Sequence, residues 1–140
     1  MGPKILTAEE ASALVSKLDE AFRRFDALRE KSRQIKVKMT ALEVIWGERV
    51  ADASCPDHGE YAHHLEGLSR VNHEFAETAG SIESLGGVVK GVDAGLVDFF
   101  GVKEGRLVSL CWQRGEEAIT HWHHVDDGFA GRQPLTVSAA

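Results

Sequence analysis

Apolar residues in the first third of the chain fall at Leu14, Leu18, Ala21, Phe25, Leu28, Ile35, Met39, Leu42 and Trp46. They follow alternating steps of four and three, with the polar Ser32 in the one remaining slot. Nine apolar residues at ten such positions mark a helix that packs along a narrow stripe, as in a coiled coil. Thr7 and Glu10 have the spacing of a capping box, in which each side chain satisfies the backbone donor of the other. Ala8 and Glu9 favour the first turn by propensity and by dipole. No proline lies between Ile5 and Cys55. The pattern therefore predicts a first helix over 7–50, unbroken from about Ala8 to Val50 and roughly 65 Å long. The small residues, Pro56 and Gly59 of the stretch 51–59 form a loop. Asp57 and Glu60 then repeat the capping spacing. A second seam at Tyr61, Leu65, Leu68, Asn72, Phe75, Ala79 and Ile82 predicts a helix over 57–86, terminated by Gly86-Gly87.

A short loop makes the two helices antiparallel. Pairing Trp46 with Tyr61 sets Ser32 against Phe75 and Asn72 against Ile35, so Ser32 and Asn72 read as a polar layer that fixes register. The second helix runs out near Ala21. Ala11, Leu14, Val15 and Leu18 must then bury their apolar side elsewhere, on the C-terminal third or on a partner subunit. From Val88 the period changes to two. Strands are expected at Val88–Lys90, Leu96–Val102, Arg106–Gln113 and Ala118–His124, with hairpin turns at Lys103-Glu104-Gly105 and Arg114–Glu117. Lys4-Ile5-Leu6 is a further edge-strand candidate. The expected fold is a single α+β domain. A long, coiled-coil-like antiparallel helical hairpin precedes an antiparallel β-meander over 88–125, which packs near the start of the first helix. An irregular tail follows over 126–140, frayed at its end.

Composition narrows the class. At 140 residues, 43% hydrophobic and 27% charged, the chain matches a globular domain. A domain of this size buries roughly 68% of its unfolded surface and needs no metal or disulfide to hold a core. No apolar run approaches the ~20 residues of a membrane helix. The opening Met1-Gly2-Pro3-Lys4 lacks a signal-peptide pattern, so a cytoplasmic protein is expected. Cys55 and Cys111 read as free thiols, since there is no CxxC pair. The net charge of −6 is uneven: Lys17–Lys38 holds eight basic and four acidic residues, the rest eight basic and eighteen acidic. Because the molecule as a whole is negative and would repel phosphates, this basic stretch reads as a solvated helix face, and no nucleic-acid partner is expected.

The residues with chemistry to offer cluster late. Of seven histidines, three stand in His121-Trp122-His123-His124. On a strand His121 and His123 share a face, and with Asp126 they make a candidate metal set. The alternative is ordinary packing and solvation. No cofactor is expected, and a divalent metal is the minor reading. Asp98 interrupts an apolar strand and needs a partner, for which Arg106, Arg114 and Arg132 are candidates. Trp112 and Trp122 read as core anchors. His58, His63, His64 and His73 are expected at the surface.

The string Gly95-Leu96-Val97-Asp98-Phe99, Leu110-Cys111-Trp112, Gly115-Glu116, Trp122-His123, Asp126, Gly128–Arg132 and Pro134-Leu135, with the opening Leu6–Ala11, resembles the prokaryotic domain of unknown function 2203 family. That resemblance spans nearly the whole chain and implies shared ancestry and fold for a small bacterial protein, with no activity attached. His121, His124 and Phe100 depart from the family pattern, which favours an aromatic, an acid and a proline there. His123 alone of the cluster matches. The resemblance thus points to a polar unit of Asp98, His123, Asp126 and Arg132 as the candidate site.

The apolar residues off the first seam, Val15, Phe22, Val37, Val44 and Ile45, need cover. A homodimer through the helices is the expected partner state, with the chain acting as a structural or interaction module. An unidentified protein partner is the other occupant considered. The competing class is a metal-binding or hydrolytic protein centred on His123.

Overall fold

The computed structural model describes residues 4–135. The chain is α+β, with three helices, α1 (Ala8–Ser12), α2 (Val15–Trp46) and α3 (His58–Ser84). They precede strands β1 (Gly87–Gly91), β2 (Leu96–Lys103), β3 (Arg106–Gln113), β4 (His121–His124) and β5 (Gln133–Pro134). None of these helices is long and apolar enough to cross a membrane. The chain divides into two compact units: residues up to Arg23 with those from Ala79 onward, and residues Arg24–Thr78.

In the sheet-bearing unit the strands follow one another in chain order, all antiparallel. The β2–β3 turn places both Glu104 (φ 54°) and Gly105 (φ 75°) in the left-handed region. This is the two-residue hairpin geometry whose twist matches the strands, and it sets Lys103 opposite Arg106 and Asp98 opposite Cys111. One sheet face carries the buried Val97, Phe99, Val108, Leu110, Trp112 and Trp122. Phe22 of α2 meets Trp112 there, with ring centroids 5.6 Å apart. Ala11, Val15 and Leu18 are buried in the same unit, so the start of the first helix is covered within the chain. Beyond the end of β1 the edge of β2 is taken by Ile5, bridged to Phe100, and Leu6 N–H donates to Phe100 O at 2.9 Å. Lys4–Leu6 thus contributes a bridge rather than a full strand.

Four expectations are corrected here. The first helix is not continuous, because a hitch at Ala13–Leu14 separates α1 from α2. Thr7 and Glu10 do form the full capping box, but Leu14 N–H bonds back three residues to Ala11 O, and the Ser12 hydroxyl accepts from Ile119 N–H at 2.9 Å. A tertiary hydrogen bond sits where the pattern implied an uninterrupted helix. The helix also ends early: Gly47 (φ 61°) stops it at Trp46, and Gly47–Ala51 is a 3₁₀ turn. The fourth strand starts at His121 rather than Ala118, since Ile119 spends its donor on Ser12. The tail is not irregular throughout. It returns as β5 beside β4, pairing Pro134 with His121 and Gln133 with Trp122. The expected fraying at 136–140 lies outside the described residues.

In the second unit the Phe25 and Phe75 rings pack with centroids 4.6 Å apart and planes tilted by 42°. Arg24 Nε donates to Thr78 Oγ1 at 3.1 Å, and the Tyr61 hydroxyl donates to Glu43 at 3.1 Å. Leu42, Val50 and Cys55 form a small core capped by Trp46 and Tyr61. Asp57 accepts from Trp46 Nε1 at 2.7 Å. The inward residues of α3 are Tyr61, His64, Leu68, Val71, Phe75 and Thr78, while Leu65 and Asn72 are exposed. The seam expected at Leu65 and Asn72 is therefore displaced by one residue at those positions, to His64 and Val71, while Ala79 is half-buried beside the buried Thr78. The ring facing Phe75 is Phe25, not Ser32, and no Ser32–Asn72 core layer forms. His64 is correspondingly an inward residue, with its side chain 11% exposed. Its Nε2 has no hydrogen-bond partner among the described residues and stands 3.6 Å from Glu60.

Candidate functional site

Residues directly opposite one another in an antiparallel sheet share a face. The pairings Asp98–Cys111–His121 and Phe100–Ser109–His123 therefore lie on the face turned away from Trp112. β2 and β4 flank β3, two strand spacings or roughly 9.6 Å apart. The small side chains of Cys111 and Ser109 on β3 leave room for Asp98 and His123 to lean toward each other across it. They meet with His123 Nε2 3.0 Å from Asp98 Oδ2.

All three central residues are sequestered, with Asp98 4%, His123 3% and Cys111 1% exposed. His123 Nδ1 faces the His124 carbonyl at 2.7 Å. Both ring nitrogens thus face acceptors, so one proton sits on Nδ1 and a second lies between Nε2 and the Asp98 carboxylate. The pair is a buried, hydrogen-bonded ion pair or its proton-transferred equivalent, which is how a carboxylate tolerates loss of water. The Cys111 thiol is pushed up to about 11, first by burial and then by the charge of Asp98, with Arg132 pulling the other way. Arg132 Nη2 donates to Cys111 O at 3.2 Å and pairs with the Glu116 carboxylate. Glu116 also accepts from Gln113 N–H at 2.7 Å. The guanidinium thus ties the segment before β5 to β3 and its following loop.

The structure brings together Asp98 and His123, with Arg132 beside them at Cys111. Asp126 is exposed and apart from this cluster. The partner of Asp98 is His123 rather than any of the three arginines considered. Arg132 serves Glu116, and Arg114 lies over the Phe22 ring at 5.8 Å. His121 turns to the Thr120 hydroxyl at 2.9 Å and toward Glu116 at 3.8 Å. The set His121, His123, Asp126 does not converge. Among the described residues the group of metal-ligating atoms is Asp98, Cys111 and His123, all within 4.8 Å of one another. Cys111 and Glu116 are the members that sequence reasoning missed. Treating Glu104-Gly105 as a two-residue turn would have paired Asp98 with Cys111, because that turn sets the register of the whole hairpin.

A family model described as "Uncharacterized conserved protein (DUF2203)" matches residues 4–135. The chain belongs to this family. No curated protein and no solved structure matches the DUF2203 chain. With exposures of 4% or less, Asp98, Cys111 and His123 cannot touch an organic substrate as arranged. A proton or a small ion is what such a cluster can hold.

Proposed function

We propose that this DUF2203 protein is a non-enzymatic interaction module of the bacterial cytoplasm. In this reading α2 and α3 form an antiparallel, coiled-coil-like hairpin, and two copies associate through it into a four-helix bundle. The observation that carries the reading is the apolar stripe left bare on α2: Val37 is 57%, Val44 81% and Ile45 67% exposed. Residues seven and eight apart lie on one side of a helix. Val15 and Phe22, apolar like these and also off the seam, are buried, which leaves the later three without cover. The contacts Phe25–Phe75, Arg24–Thr78 and Glu43–Tyr61 support the hairpin, because partners late on α2 match residues early on α3.

Burying an aliphatic side chain contributes roughly 1.5–3 kcal/mol. A two-fold interface uses each stripe twice. Against an association cost of about 4–15 kcal/mol, three such residues per copy suit a dimer in the micromolar range. Light scattering of the full chain tests this, and a strictly monomeric species throughout the micromolar range removes it.

A further inference from the structure

Three different donors from three adjacent strands converge on one point beneath the surface of the sheet. We propose that Asp98, Cys111 and His123 form a three-ligand site for a borderline-soft divalent cation of the zinc class, with water in the fourth position. This site goes beyond the interaction role and differs from the set that the histidine spacing suggested.

Four features carry it. The carboxylate oxygen, thiol sulfur and imidazole nitrogen lie within 4.8 Å of one another, each on a paired strand that fixes its backbone. Sites built on such elements hold geometry better than loop sites. The His124 carbonyl accepts a hydrogen bond from His123 Nδ1 at 2.7 Å. That is the outer-shell contact by which metal-binding histidines are held with Nε2 ready to ligate. The mixed sulfur, nitrogen and oxygen set suits zinc-class ions rather than calcium or magnesium, which take oxygen.

The charge also balances. With no cation, Asp98 and His123 share one proton at Nε2–Oδ2 and Cys111 carries another on sulfur. A dication that displaces both leaves carboxylate, thiolate and neutral imidazole, so the buried charge is unchanged. Arg132 is already paired with Glu116 and adds no net charge. Two ligands at about 2.0 Å from a tetrahedral ion stand roughly 3.3 Å apart. The Asp98–His123 separation of 3.0 Å therefore needs to open by only a few tenths of an ångström.

The test is titration of the tag-free, full-length protein with Co²⁺, then Zn²⁺. One cobalt per chain should give a thiolate-to-cobalt charge-transfer band, with two protons released per ion in weak buffer. Zinc should bleach the band and raise the melting temperature. The band should persist in Cys55→Ser and vanish in Cys111→Ser. No band at several equivalents overturns the proposal, as does a band kept in Cys111→Ser or lost in Cys55→Ser. Should Cys111→Ser misfold by circular dichroism, X-ray absorption of the cobalt-loaded wild type decides. One sulfur among nitrogen and oxygen ligands supports the site, and a shell without sulfur overturns it.

Discussion

In the sheet-bearing unit, Val15 and Phe22 of α2 are buried, and the acid and imidazole that enter its interior are bonded to each other. In the unit spanning Arg24–Thr78, Val37, Val44 and Ile45 of the same helix are bare, and the inward His64 keeps one nitrogen without a hydrogen bond. A helix with apolar residues on two sides needs two neighbours. The sheet-bearing unit supplies a second layer, whereas the other offers α2 a single helical partner. The contrast lies along α2: its start is covered within the chain, whereas its later apolar residues are left bare, although the sheet-bearing unit too exposes Val102 and Leu107 and leaves Arg132 Nε without a hydrogen bond among the described residues.

The largest effect should come from breaking the match inside the sheet. Asp98→Ala strands a buried imidazole, and removing one partner of such a pair costs about 3–5 kcal/mol. Urea denaturation at neutral pH measures it. A loss below about 1 kcal/mol would mean that the pair adds little to holding this unit together.

A smaller loss should appear at alkaline pH in the metal-free protein. The Cys111 thiol is raised from 9.0 to about 11, so the folded chain holds its proton where the unfolded chain has lost it. Its stabilising contribution is full below about pH 9 and disappears as pH rises from 9 toward 11, by about 2–3 kcal/mol at ~1.4 kcal/mol per unit. The wild type minus Cys111→Ala difference in unfolding free energy should fall across that window. A flat difference would contradict the burial of the thiol.

Smaller again, and opposite in sign, His64→Leu should stabilise the chain by about 1 kcal/mol. It replaces an imidazole whose Nε2 makes no hydrogen bond among the described residues, only a 3.6 Å approach to Glu60, with an apolar group at an inward seam position. A clear destabilisation in thermal melts would show that His64 makes a needed contact.

The three outcomes follow the way the sequence was legible. The long α2 stripe from Leu18 to Trp46 could be read directly, because heptad spacing depends only on local periodicity. Phe75 and Leu68 of α3 were recovered too. Leu65 and Asn72 were misplaced because α3 also carries His64, Val71 and Thr78 at the same spacing, and only packing against α2 decides between the two stripes. The break at Ala13 was not visible, since no proline or glycine marks it and the hydrogen bond beside it joins Ser12 to a residue more than one hundred positions away. Asp98 and His123 could be nominated from their residue types. Their pairing, and the place of Cys111 between them, required the hairpin register. The arginines considered for Asp98 were the chemically ordinary choice, but the register gave that role to an imidazole two strands over. Arg132 reached Glu116 instead because β5 brings the tail back along β4, and a two-residue strand leaves little periodic signal.

Sedimentation equilibrium of the full-length chain, beside a Val44→Glu/Ile45→Lys variant, tests most directly whether the bare side of α2 is a self-association surface. The wild type should sediment as a dimer in the micromolar range. The variant should sediment as a monomer with its melting profile within roughly 0.5 kcal/mol of the wild-type monomer, as expected of exposed positions. A wild type that stays monomeric, or a dimer that survives both charges, contradicts it.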